Sequence, residues 1–204
     1  MTKVMADITM SLDGFVTGPD PGPERGLGRD GEPLHAWVFG GHDVDAAVLR
    51  DSVEASGAVV MGRRTFDVID GPHGWNDDMG YGAGHAAVPP FFVVTHAPPA
   101  DVRLDLSFTF VTEGVAAAIE SARAAAGDKD VFVMGGGDVV RQCVDEGLAD
   151  ELRIHVSPIL LGAGTPLFAG SGRRELVQRD VVVSPFAAHL TYDVSGGSST
   201  TSSA

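Results

Sequence analysis

The sequence predicts an α/β protein: three layers, with a mostly parallel central sheet and an antiparallel end. Two observations carry this. Between residues 43 and 147, short apolar runs alternate with helical patterns, the signature of parallel strands joined by crossover helices. From residue 151 onward only strand patterns remain. The apolar content of 44% is enough for one core, and neither a linker nor an internal repeat divides residues 1–194.

Lys3 to Met10 alternates as a strand, and Ser11-Leu12-Asp13-Gly14 follows as a turn. Residues 17–33 are too rich in Gly and Pro for regular structure. Residues 43–56 place apolar side chains on one helical face, with Asp43 near the start and Gly57 as a C-cap. Ala58–Met61 is a buried strand, and a helix opens at Gly62-Arg63-Arg64-Thr65 and runs to about Ile69. Residues 71–89, with His73, Trp75, Tyr81 and His85, form a second irregular stretch. Strands follow at 91–95, 107–111 and 131–134, with an alanine-rich helix at 114–126 and another helix at 138–147. Glu151–Leu160 is a strand, with Asp150-Glu151 as a solvated turn before it. Leu176–Val183 and Ala187–Val194 close the sheet through a turn at Ser184-Pro185. The tail SGGSSTTSSA, 195–204, is low in complexity and expected to be disordered.

The net charge of −14 argues against nucleic acid and anionic membrane as partners, because both need a basic face. No run of 18 apolar residues suggests a membrane span. A lone cysteine, Cys143, permits no internal disulfide, and the expected setting is a reducing cytoplasm. Cys143 falls among Val140, Val144 and Leu148 and reads as core. The seven histidines are scattered without metal-ligand spacing, so no metal site is expected. His155 reads as half-buried.

Ligands of a parallel sheet bind beyond the carboxyl ends of its strands. Three such ends carry phosphate-compatible chemistry. At Met61-Gly62-Arg63-Arg64-Thr65 a strand gives way to a helix that starts with two arginines. Those cost the helix a few tenths of a kcal/mol unless an anion is present. At Met134-Gly135-Gly136-Gly137-Asp138 three glycines let backbone approach a pyrophosphate. At Thr95-His96 a hydroxyl and an imidazole could line an adenosine pocket. Solvated arginines, a tight turn and a polar loop would explain the same residues one by one. Together they suggest one extended dinucleotide, and the paired arginines favour NADPH over NADH.

Ser11-Leu-Asp-Gly14, Val60-Met-Gly-Arg-Arg-Thr-Phe66, Val94-Thr95, Val133-Met-Gly-Gly-Gly137 and Pro158-Ile-Leu-Leu-Gly-Ala-Gly164 with Leu167-Phe168, in this order, resemble the dihydrofolate reductase-like superfamily. The chain is most similar to stand-alone proteins related to the reductase domain of bacterial riboflavin biosynthesis, over residues 3–194. The resemblance implies an NADPH-dependent reductase of a small heterocyclic substrate, and a homodimer. It implies Arg63 and Arg64 at the 2′-phosphate, Thr65 and Gly135–Gly137 at the pyrophosphate, and Thr95 at the adenosine. Ser11, Asp13 and Gly14 would lie near the nicotinamide, with Asp13 as the candidate proton donor, although an Asp-Gly turn would also account for it. It further implies a cis bond between two of the glycines. No H-x-E with P-C-x-x-C is present, which excludes a zinc deaminase. Dihydrofolate reductases carry a carboxylate on the first helix; Asp43, Asp45 and Asp51 occupy that region, and the sequence does not choose among them. An NADPH-binding sensor with little turnover and a true pterin reductase remain as alternatives.

Overall fold

Strand β1 (Val4–Ser11) shows how the sequence builds the sheet. Val4, Ala6 and Ile8 enter one buried cluster, while Met5 enters another on the opposite side, as the two-residue period of a strand requires. The same division recurs on the parallel strands β3 (Ser56–Gly62), β4 (Phe91–Val94), β5 (Phe108–Val111) and β6 (Asp130–Met134), whereas β7 (Glu151–Ser157) supplies the first cluster alone. Antiparallel β9 (Val177–Val183) and β10 (Ala188–Asp193) complete eight strands in the order β5-β4-β3-β6-β1-β7-β10-β9. This computed structural model describes residues 2–85 and 88–194; the expectation for 195–204 falls outside them.

Helices α4 (Val115–Ala126) and α5 (Gly137–Asp145) cover the first face with Val115, Ala118, Ile119, Ala122, Val140 and Val144. Cys143 is fully buried there, as expected, and burial pushes its thiol up to about 12. The other face is covered by α2 (Asp43–Ala55) and α3 (Arg63–Ile69). A 3-10 turn (Glu32–His35) and the short helix α1 (Ala36–Phe39) lie beside them. A two-stranded ribbon pairs β2 (Phe15–Thr17) with β8 (Thr165–Pro166). Among the described residues no helix is long and apolar enough to cross a membrane.

Three local expectations change. Gly57 does not cap α2; that helix ends at Ala55, and Gly57 lies in β3. A Cβ there would sit 2.3 Å from the carbonyl oxygen of Ala126, so the glycine admits the end of α4. Strand β7 stops at Ser157 rather than Leu160, because Pro158 cannot donate to the ladder. Asp150 and Glu151 are not a freely solvated turn. Asp150 accepts from Val4 N at 2.8 Å and from Arg123 at 3.2 Å, and Glu151 pairs with Lys3 at 2.5 Å. These contacts tie the start of β1 to the start of β7.

Candidate active site

A cavity of about 1400 Å³ runs along the carboxyl ends of β1, β3, β4 and β6 and under the 17–33 and 71–85 loops. Sites for one small ligand seldom exceed about 1,000 Å³, so this one has room for two molecules side by side.

One half gathers most of the residues singled out from the sequence. Gly62, Arg63, Arg64, Thr65, Thr95, His96, Met134, Gly135, Gly136, Gly137 and Asp138 all line it. The glycines are there for backbone geometry and space. Gly135 and Gly136 have φ of +69° and +80°, a region costly for other residues. A Cβ on either would lie 3.0–3.1 Å from the Thr65 side chain. A Cβ on Gly137 would meet Val16 at 3.0 Å. The expected cis bond is absent, and every described peptide bond is trans. Two left-handed residues turn the chain from β6 into α5 without it.

The two arginines differ. Arg63 Nε donates to Asp67 at 2.6 Å, and its Nη1 donates to the Ala97 carbonyl at 2.6 Å and to Thr95 Oγ1 at 3.4 Å. It already holds the loop after β4 in place. Arg64 is 84% exposed, and its ion-pair partner among the described residues is Asp138 at 3.6 Å. Of the pair, Arg64 is the one left available to an anion.

Met61 is fully buried and does not line this cavity. Ser11, Asp13 and Gly14 lie outside it too. Asp13 accepts from Ser11 Oγ at 2.6 Å, from Leu161 N at 3.1 Å and from Gly162 N at 2.7 Å. Leu12 N donates to Ile159 O, and Leu167 N donates to Gly14 O. The Ser-Leu-Asp-Gly and Pro-Ile-Leu-Leu-Gly motifs are therefore two sides of one clamp, which accounts for their joint occurrence. The Ser11 hydroxyl holds the Asp13 carboxyl below the ordinary carboxylate range against a weaker opposing effect of burial, and the backbone donors add to it. These donors favour its ionised form, and the contacts are those of a clamp between the two motifs.

The other half has a polar floor that the sequence analysis missed. Asp7 and Thr9 of β1, Trp37 of α1, His35 and His155 line it. Asp7 Oδ1 lies 2.9 Å from His155 Nε2, His155 Nδ1 lies 2.7 Å from His189 Nδ1, and His189 Nε2 lies 2.8 Å from Asp45 Oδ1. His155 and His189 are 1% and 3% exposed, so His155 is not half-buried. The Trp37 ring packs on His155 with centroids 4.3 Å apart, and its Nε1 donates to Thr9 Oγ1 at 3.1 Å. Asp45 is turned into this chain and away from the cavity. On this floor the cavity meets instead the carboxylate of Asp7, from β1. The available signal was register: Asp7 and Thr9, Arg153 and His155, and His189 are polar positions on one face of three neighbouring strands.

Burial alone would raise Asp7, but the charge and hydrogen bond of His155, with Arg153, outweigh it and hold the carboxyl low. Burial lowers His189, against the hydrogen bond it makes to Asp45. Burial and the neighbouring His155 push His35 down to about 4. Around these, Arg103 donates to the carbonyls of Ile69, Asp70 and Trp75 and anchors the 71–85 loop. Tyr81 OH lies 2.5 Å from Ser56 Oγ.

Residues 2–191 match the RibD C-terminal domain. A pyrimidine reductase-like protein from Corynebacterium diphtheriae superposes with a TM-score of 0.60 at 18% identity, covering 94% of this chain and 91% of that one. A diaminohydroxyphosphoribosylaminopyrimidine deaminase/5-amino-6-(5-phosphoribosylamino)uracil reductase from Thermotoga maritima gives 0.58 at 14% identity over 94% of this chain and 56% of that longer one. The dihydrofolate reductase of Enterococcus faecalis, complexed with NADP(H), gives 0.51 at 14% identity, with 94% and 95% covered. At these identities the structural likeness shows the dihydrofolate reductase-like fold.

Proposed function

The chain belongs to the RibD C-terminal domain family, and from that premise we propose that it is an NADPH-dependent reductase acting on a C=N bond of a small heterocycle. This reading places it among reductases of the type of the 5-amino-6-(5-phosphoribosylamino)uracil reductases. The observation that carries this reading is the two-part cavity: a bare glycine turn and an available arginine in one half, a polar floor in the other.

The residues fit the cofactor. The left-handed Gly135 and Gly136 leave open the space that Cβ atoms would take, beside Thr65, as backbone binding of a pyrophosphate requires. Arg64, supported by Arg63, would hold the 2′-phosphate; Thr95 and His96 would border the adenosine. When bound, the nicotinamide supplies the hydride. The protein's own part is to orient the substrate, exclude water with Trp37, Trp75 and the two loops, and manage the accompanying proton. In the substrate half, Asp7 and Asp78 favour an unphosphorylated ligand. Asp45, bound to His189, is not placed to grip a pterin from α2. A preorganised carboxylate in the cavity, Asp7, favours turnover over a sensing role. The same reading includes a homodimer, for which Val177, Val181 and Val183 of edge strand β9 offer an exposed apolar face. It also assigns the protein to the cytoplasm.

Nucleotide titration tests the cofactor. Removing one charge-assisted phosphate contact costs about 1.5–3 kcal/mol, so Arg64→Ala should weaken NADPH by roughly ten- to a hundredfold and leave NADH unchanged. A wild-type protein that binds neither nucleotide at millimolar concentration would overturn the reductase reading.

A further inference from the structure

The floor of the substrate half is a linear chain, Asp7–His155–His189–Asp45, contributed by β1, β7, β10 and α2. Each of its contacts joins two atoms that bear lone pairs when deprotonated, and each needs one proton to be attractive. The three contacts therefore hold three protons. Counted over two carboxyls and two imidazoles, three protons leave a net charge of −1. Arg153 Nη1, 3.5 Å from Asp7 Oδ2, neutralises it. Burial of an uncompensated charge would be costly, so this count is the one the interior favours.

The three protons can be arranged in more than one way at constant charge. In one arrangement both carboxyls are ionised and one imidazole is an imidazolium. In another, the proton shared by His155 and Asp7 has passed to Asp7, both rings are neutral, and Asp7 is a carboxylic acid. His155 and Arg153 hold the Asp7 carboxyl low against burial, and burial lowers His189; His155 lies one hydrogen bond from Asp7. The remaining charged or titratable groups facing the chain are Arg153 on β7, His35 on the 3-10 turn and Tyr81 on the 71–85 loop. Arg153 is occupied by Ser52 Oγ at 2.8 Å. His35, with its depressed value, is neutral near pH 7. Tyr81 stays protonated, because burial raises its hydroxyl far above neutrality.

Only Asp7 and His155 of the four line the cavity. Asp7 is the register partner of Met134, the residue before the glycine turn, and paired strands lie about 4.8 Å apart. The chain thus ends next to the strand that leads into the proposed dinucleotide half. Among the described residues its second oxygen, Oδ2, accepts no hydrogen bond, and neither does Asp45 Oδ2.

We propose that Asp7–His155–His189–Asp45 is a proton store whose delivery end is Asp7, and that it protonates the ring nitrogen of a nitrogen heterocycle bound in this cavity. In the step, the Asp7 O–H bond breaks and a ligand N–H bond forms. The chain is left with two protons for three contacts, one of which becomes repulsive until solvent returns a proton. Asp45 acts through the two histidines and is a positioning residue. This proton source rests on the reductase reading for its purpose, but its first test needs neither nucleotide nor turnover.

Nitrogen-15 NMR of the imidazole rings, on the whole protein without ligand, should show both Nε2 atoms of His155 and His189 protonated with a single proton between the two Nδ1 atoms. That pattern should persist through neutral pH and vanish in Asp7→Asn. Two rings that titrate as independent histidines would overturn the store. Addition of 4-aminopyrimidine, at a pH well above that at which the free base is protonated, then tests delivery. The bound base should carry a ring proton in the wild type and lose it in His189→Gln, which does not line the cavity. A base bound neutral in the wild type would overturn delivery. NADPH affinity, measured separately, should be unchanged in His189→Gln; a failure there touches the reductase reading and not the proton store.

Discussion

The two faces of the sheet are built from the same strands yet do different work. On the face under α4 and α5, β1, β6 and β7 present Val4, Ala6, Ile8, Val131, Val133, Leu152 and Ile154, all buried and apolar. On the other face the same strands present Met5, Asp7 and Thr9, then Phe132 and Met134, then Arg153 and His155. The second face changes along the sheet. At the β3-β4-β5 end it is aromatic, with Phe66 edge-on to Phe108 and Phe110 at 5.1 Å. At the β1-β7-β10 end it is ionic. One face thus secures the fold, and the other places a costly polar cluster where the cavity reaches it. Buried charges are tolerated only when paired, and the four-member chain provides that pairing.

The sharpest way to break the contrast is to cut each face once. His155→Ala leaves Asp7 and His189 buried without their partner and should cost about 3–5 kcal/mol. Leu152→Ala on the packed face should cost about 2–5 kcal/mol through a cavity. The magnitudes overlap, but denaturant titrations at several pH values separate them. The His155→Ala loss should vary with pH, whereas the Leu152→Ala loss should not.

Acidification should act through the polar face next. His35 is lowered from 6.5 to about 4, so the unfolded chain binds its proton first. Stability should therefore fall as pH drops from 6.5 toward 4, by roughly 3 kcal/mol, since each pH step between the two values contributes about 1.4 kcal/mol. Asp7, held below its ordinary value, adds a further loss as pH falls through its folded-state titration. His35→Gln should flatten the upper part of that curve.

A smaller effect is expected at the glycine turn. Gly136→Ala forces a side chain into a left-handed backbone and toward Thr65, which should cost about 1–2 kcal/mol of stability. Nucleotide titration should show a disproportionate loss of NADPH affinity. The smallest effect belongs to Asp13→Asn. It loosens an exposed clamp outside the cavity, so NADPH affinity and the pH profile of any turnover should match the wild type.

The nucleotide half was legible because its residues are contiguous. Arg63-Arg64-Thr65 and Gly135-Gly136-Gly137 each announce a strand-to-helix turn, and local chemistry alone suggests an anion. The polar floor was not legible. Its bonded members lie far apart in sequence, 148 residues between Asp7 and His155 and 144 between Asp45 and His189, and each is ordinary alone. His155 in an alternating strand has a bland interpretation until His189 is known to be its register partner. Asp13 shows the converse: an Asp-Gly pair in a motif suggests chemistry, and its hydrogen bonds with Leu161 and Gly162, far along the chain, add a staple that the sequence does not display.

Periodicity along the chain is enough to set the order of strands and helices and the parallel sheet with its antiparallel end. Glycine and arginine chemistry is enough to locate the phosphate-compatible turns. Both kinds of signal act over a few residues, so they survive in a linear reading. Packing in three dimensions settles the rest: Arg63 is committed while Arg64 is available, Asp45 faces inward, and Asp7 reaches the cavity. Each of these depends on which side chains strand register and helix docking bring within hydrogen-bond distance, and no local pattern encodes that.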